Sequence, residues 1–129
     1  TEAEKEKYQR SGLTDKNAAD YLAKLSDFME ASKPYLDPEL TIKDLADKLD
    51  ISRHHITQVI NEHLHKNFFQ WINDYRTEEV KNRLRDPKFQ HFTIVALAFD
   101  CGFNSKSAFN AIFKKVVGET PSEYRRVQS

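Results

Sequence analysis

Residues 93–113 read TIVALAFDCGFNSKSAFNAIF, and the fold turns on how this stretch is parsed. Thr93 stands ahead of apolar residues at helical spacing (Ile94, Leu97, Ala98, Cys101), where its hydroxyl can cap the first free backbone N–H groups. Gly102-Phe103 then interrupts the period, because glycine accepts the left-handed backbone that ends a helix. Ser105 opens a second helix with Phe109, Ile112 and Phe113 on one face, and Gly118 ends it. The stretch therefore spells two short capped helices joined by a tight turn.

The same phrase occurs earlier in the chain, where residues 41–60 read TIKDLADKLDISRHHITQVI. Thr41-Ile42-x-x-Leu45-Ala46 matches Thr93-Ile94-x-x-Leu97-Ala98 at an offset of 52, and Ile51 matches Phe103 at the same offset. After one extra residue in the second copy, Ser52, Ile56, Val59 and Ile60 match Ser105, Phe109, Ile112 and Phe113. A small residue in each first helix (Ala46, Ala98) lets the second helix cross closely. Asp50 or Gly102 takes the left-handed turn. A rigid pair of this kind is a helix-turn-helix, which projects the N-terminal face of its second helix into a DNA major groove.

Working outward, the spacing predicts a long helix over Phe68–Leu84 between the copies, burying Phe69, Ile72, Val80 and Leu84 and ending at Asp86-Pro87. Upstream, Thr14 caps a helix with Ala18, Tyr21, Leu22, Leu25, Phe28 and Met29 on one face; it stops near Ser32, before Pro34, and Tyr35–Leu40 reads as a turn. Thr1–Arg10 is a charged, unpatterned lead-in. Thr120-Pro121-Ser122-Glu123 has capping-box spacing with proline at the first helical position. With only 3 Gly and 4 Pro, the reading is all-α: tandem helix-turn-helix units joined by a long central helix, with an extra N-terminal helix. A central helix of about 17 residues spans roughly 25 Å. Adding helix thicknesses, it sets two reading helices about 34 Å, one DNA turn, apart.

Composition narrows the function. The 129 residues are 39% hydrophobic and 31% charged, with formal net charge +0. The balance is uneven: residues 1–50 hold 8 Lys+Arg against 12 Asp+Glu, and residues 51–129 hold 12 against 8, so a polyanion-facing surface belongs in the second stretch. No apolar run approaches a membrane span, no segment resembles a cleavable signal, and the single Cys101 excludes an internal disulfide; a reducing, cytoplasmic setting is expected. A chain opening on Thr1 is expected to be a fragment or processed product of something longer. Neither His54-His55 nor His63-x-His65 has zinc-ligand spacing, Cys101 lacks a base, and no glycine loop cradles phosphate, so no metal, cofactor or catalysis is expected. Phe68, Phe69 and Trp71 recur beside Ile72 at core spacing, which favours packing over a base-stacking platform.

Gly102-Phe103-Asn104-Ser105-Lys106-Ser107-Ala108-Phe109, then Phe113-Lys114-Lys115, Gly118, Thr120-Pro121 and Tyr124-Arg125, resemble the C-terminal signature of AraC-type regulators. Leu45-Ala46, Ile51-Ser52, Val59-Ile60-Asn61, Asn67-Phe68 and Tyr75-Arg76 resemble the same family's upstream motif, so the likeness covers about Leu40 to Arg126. It implies a domain over residues 40–129 that controls transcription on promoter DNA, working with RNA polymerase. Residues 1–39 form an arm and helix leading from an upstream sensor region; their wording resembles the segment preceding this domain in membrane-linked or sensor-linked members. The resemblance implies base-reading positions at His54, Thr57 and Gln58 in the first unit and at Lys106, Ser107, Asn110 and Ala111 in the second. Two departures stand out: Asp50 and His65 occupy places where the family usually or often has glycine.

The chemistry of these positions suits the role. Gln58 and Asn110 carry amides for bidentate contact with adenine, Lys106 can donate to guanine, Thr57 and Ala111 can touch a thymine methyl, and His54 offers a ring nitrogen or stacking face. All are expected on the solvent side of their helices. Arg53, Lys114, Lys115 and Arg126, with the hydroxyls and free N–H groups at Ser52 and Ser105, are candidate phosphate contacts. Arg76 is expected to pair with a carboxylate inside the domain, and His55 to bond locally near its helix start. The competing reading is a helical protein-interaction module without DNA binding, suggested by the acidic first fifty residues. The helix at 18–29 packs onto the first helix-turn-helix in the favoured reading, or mediates self-association in the other.

Overall fold

The computed structural model describes residues 13–128; the lead-in Thr1–Arg10 lies outside the described residues. Among the described residues seven α-helices follow in order: α1 (Asp15–Ser32), α2 (Ile42–Leu49), α3 (Arg53–Leu64), α4 (Phe68–Arg85), α5 (Ile94–Asp100), α6 (Lys106–Val117) and α7 (Pro121–Gln128). Single 3-10 turns lie at Pro34–Leu36 and Pro87–Phe89, and no strand occurs among the described residues. The all-α architecture is as expected, and α4 runs one residue past the predicted Leu84.

Helix starts follow the hydroxyl residues. Thr14, Ser52, Thr93 and Ser105 each accept a bond at 3.1–3.2 Å from the backbone N–H three residues on. Thr41 with Asp44 and Thr120 with Glu123 make reciprocal capping boxes. Asn67 and Gln70 form a further box at the start of α4, at 2.8 and 3.0 Å, which the sequence reading had not marked. Each such cap stabilises its helix by about 1 kcal/mol.

The chain divides into two compact units. The first takes the chain up to Lys33 together with Thr41–Trp71. Within it α2 and α3 form the first helix-turn-helix, closed by Asp50 at φ 54° and by the Ile51 N–H donating to the Ala46 carbonyl at 3.3 Å. The α1 helix packs on α3: Leu13 and Ala18 cluster with Val59, flanked by Tyr21 and Leu22. Ala18, Leu25 and Met29 are fully buried and Tyr21, Leu22 and Phe28 half-buried, so α1 packs onto the first helix-turn-helix, as expected.

The second unit takes Pro34–Leu40 and everything from Ile72 onward. Val80 and Leu84 of α4 meet Leu97 and Ala98 of α5 and its capping residue Cys101 in one core with Phe109 and Phe113 of α6. A run of aromatic contacts threads it, Phe103–Phe109 at 5.0 Å, Phe109–Phe113 at 5.7 Å and Phe113–Tyr124 at 5.8 Å, fastening α5, α6 and α7 together. Arg125 of α7 reaches back to the carbonyls of Phe89 and Gln90.

Two expectations need correction. Arg76 is buried, and among the described residues its hydrogen-bond partners are not carboxylates: its guanidinium donates to the main-chain carbonyls of Tyr35 (2.7 Å) and Asp37 (2.9 Å), with Asn73 Oδ1 at 3.4 Å. It thus fastens the Pro34–Leu40 segment onto α4, sharing the Asp37 carbonyl with the Leu40 N–H, which donates to it at 3.2 Å. Burial lowers its pKa from the ordinary arginine value, against an opposing pull from Asp37. Phe69 was expected in the core but is 62% exposed, whereas Trp71 is buried. Phe69 shares the helical face of the buried Ile72 and Arg76 but sits in the first turn of α4.

Candidate nucleic-acid interface

Ser52 turns the chain into α3 with its hydroxyl bound to the His55 N–H, so the first residues of the helix present themselves in fixed order. Arg53, His54, Thr57 and Asn61 are exposed and form one stripe, while Ile56, Val59 and Ile60 are buried on the opposite side. Shifted by 53 residues, the stripe reappears on α6 as Lys106, Ser107, Asn110 and Lys114, all exposed, with Phe109 and Phe113 buried behind. Ala111 and Lys115 are exposed beside it, and Arg126 of α7 is exposed as well.

Gln58 does not join the stripe. The expectation that it lies on the solvent side is corrected: the residue is 4% exposed, its Nε2 donates weakly to Glu62 Oε2 at 3.4 Å, and Oε1 has no partner. At 3.6 residues per turn it falls about 40° past His54, toward the flank of α3 that carries His55 and Val59. That flank is the one α1 packs against. Its counterpart on α6, Ala111, is exposed.

His55 takes a different part from its neighbour. It bonds locally at the helix start, as expected, its N–H donating to the Ser52 hydroxyl, and its ring also stacks on Tyr21 of α1, centroids 5.7 Å apart at 23°. No periodicity in the sequence marks this pair; only the packing of α1 on α3 brings it together.

The electrostatics differ between α3 and α6. Within their spans α6 carries Lys106, Lys114 and Lys115 and no acidic residue, whereas α3 sets Arg53 against Glu62. Asn110, Ala111, Lys114 and Lys115 line an open groove with Thr120, Pro121 and Ser122 of the α7 start. The Ser105 hydroxyl accepts the Ala108 N–H and lies 3.2 Å from the Ser107 hydroxyl, so a serine pair stands at the head of α6. In α2, Lys43 is held to Asp47 at 2.7 Å, beside the shallow depression that Arg53 also lines. Polar donors and acceptors on a rigid helix face, flanked by cations, are what base edges and phosphates require.

Comparison with known proteins agrees with this geometry. Residues 45–127 match the family model of a helix-turn-helix domain. The chain is 29% identical over 85 residues to the HTH-type transcriptional regulator Rv1931c of Mycobacterium tuberculosis, covering 66% of this chain and 32% of that protein. It is 28% identical over 86 residues to a putative AraC-like transcription regulator of Streptomyces lividans, covering 67% and 27%. The chain thus spans about a third or less of the length of these curated relatives. In fold it matches a solved transcriptional regulator from Chromobacterium violaceum, described as containing an AraC-type DNA-binding domain, with a TM-score of 0.70 at 23% identity over 86% of this chain and 96% of that one. With the matched span covering the second helix-turn-helix repeat and all but the first residues of the first, the chain belongs to the AraC-type helix-turn-helix family, a family of DNA-binding transcription regulators and not an enzyme class.

Proposed function

We propose that this chain reads a bipartite promoter sequence, α3 and α6 entering successive major grooves of one duplex. The observation that carries the reading is the repetition of one exposure pattern: Arg53, His54 and Thr57 on α3 stand where Lys106, Ser107 and Asn110 stand on α6, each stripe backed by a buried apolar face. In this reading His54 and Thr57 contact bases in one half-site, and Lys106, Ser107, Asn110 and Ala111 in the other. Arg53, Lys114, Lys115 and Arg126, with the helix starts at Ser52 and Ser105, hold the phosphates. Gln58, being buried, is left out of the base-reading set.

The relatives' additional length motivates two further assignments. An upstream sensor region conveys the signal, and RNA polymerase is the partner at the promoter. The setting we assign is the cytoplasm, where a bacterial promoter would be bound. The proposal is tested by selecting bound duplexes from a random pool. The expected result is two enriched motifs separated by about 10 base pairs, one helical turn. A pool that returns without enrichment, while α-helical content is intact, would refute sequence-specific reading.

A further inference from the structure

The two reading helices are supported differently. The α6 helix is held by α5 and α7 through the aromatic core of its own unit. The α3 helix is held by α2 and, on its other flank, by the N-terminal half of α1. There Leu13 and Ala18, both fully buried, pack on Val59, and Tyr21 stacks its ring on His55 at 5.7 Å. His55 and Val59 are one turn apart on α3, and His55 directly follows the exposed His54. A displacement of this flank therefore moves the reading stripe with it.

We infer that the Leu13–Leu22 segment is a brace that sets the pose of the first reading helix, and that Tyr21 is its positioning residue. Three features favour positioning over general stabilisation. The Tyr21 ring meets His55 in the first turn of α3, beside the residues proposed to contact bases. The stack is made by a half-buried tyrosine, so the interaction lies at the margin of the core rather than in it. The brace also includes Leu13, which stands ahead of the α1 cap Thr14 and is fully buried with Val59, so it anchors the start of α1 to α3. The assignment rests on the base-reading role proposed above for α3.

The test compares Tyr21→Ala and Tyr21→Phe with the parent chain in two assays. In hydrogen exchange on the free protein, Tyr21→Ala is expected to lose protection across Arg53–Val59 of α3 while α6 keeps its own. In binding to duplexes, base preference in the α3 half-site is expected to fall roughly three- to tenfold, the worth of one stacked ring pair, with preference in the α6 half-site unchanged. Tyr21→Phe, which keeps the stack, restores both. The α6 half-site and α6 exchange serve as internal controls for folding. Unchanged α3 protection in Tyr21→Ala overturns the brace, and so does an equal loss at both half-sites. If the parent chain selects no sequence, the base-reading proposal falls, and the exchange assay still decides the brace by itself.

Discussion

Replacing Gly102 with alanine tests the packing of the second unit at its tightest point. Gly102 has φ +105°, and a Cβ built on it would lie 2.1 Å from the Tyr35 carbonyl oxygen and 2.5 Å from Arg76 Nε. Neither neighbour can yield cheaply: the first is backbone, and the second donates to that same oxygen at 2.7 Å. The left-handed strain on a non-glycine residue costs about 1–2 kcal/mol. Loss of a buried, charge-assisted hydrogen bond adds about 1.5–3 kcal/mol. The sum, about 3–5 kcal/mol, is a large share of the roughly 5–15 kcal/mol that holds a typical domain. Gly118 provides the control, because it has φ +93° with nothing within 4 Å of a built Cβ. Gly118→Ala therefore carries the strain alone, about 1–2 kcal/mol. Urea unfolding followed by circular dichroism, extrapolated to water, measures both. Equal costs for the two substitutions would refute the argument, since it rests on the Tyr35 and Arg76 contacts that distinguish the two glycines.

Four more outcomes follow from the same geometry. Arg76→Lys is expected to destabilise by about 2–3 kcal/mol in the same assay, because an ammonium cannot fork to the Tyr35 and Asp37 carbonyls as the guanidinium does. Gln58→Met removes a buried Oε1 that has no partner, so it is expected to raise stability by about 1 kcal/mol and leave base preference intact; a lost base preference would return Gln58 to the reading set. His65→Gly relieves a non-glycine residue at φ 56° and is expected to raise stability by about 1 kcal/mol, visible as a higher urea midpoint. The double substitution Lys114→Ala with Lys115→Ala is expected to reduce the slope of log binding constant against log salt by about 2, measured by titration at several salt concentrations.

Much of the scaffold was legible because it rests on short-range rules. Hydroxyl caps act within three residues, and Thr14, Thr41, Ser52, Thr93, Ser105 and Thr120 all accept the bonds that their positions promised. The left-handed state of Asp50, which stands in place of a glycine, was likewise readable, since a helix that stops there has to turn. The misreadings share a physical cause. Phe69 and Gln58 follow helical periodicity, but periodicity gives a direction around a helix and says nothing of which neighbour covers that side or where the cover ends. Arg76 was assigned a carboxylate by charge, while its partners are carbonyls of a segment 39 and 41 residues away.

The sequence alone therefore determined the helix order, the caps, the internal repeat and the family, since each is encoded in residues at most a few turns apart or in the repeat itself. Tertiary packing decided the rest. It buried Gln58, stacked Tyr21 on His55, and wedged Gly102 beneath Tyr35 and Arg76. These contacts join residues remote along the chain, and their geometry depends on how helices cross, which no local pattern specifies.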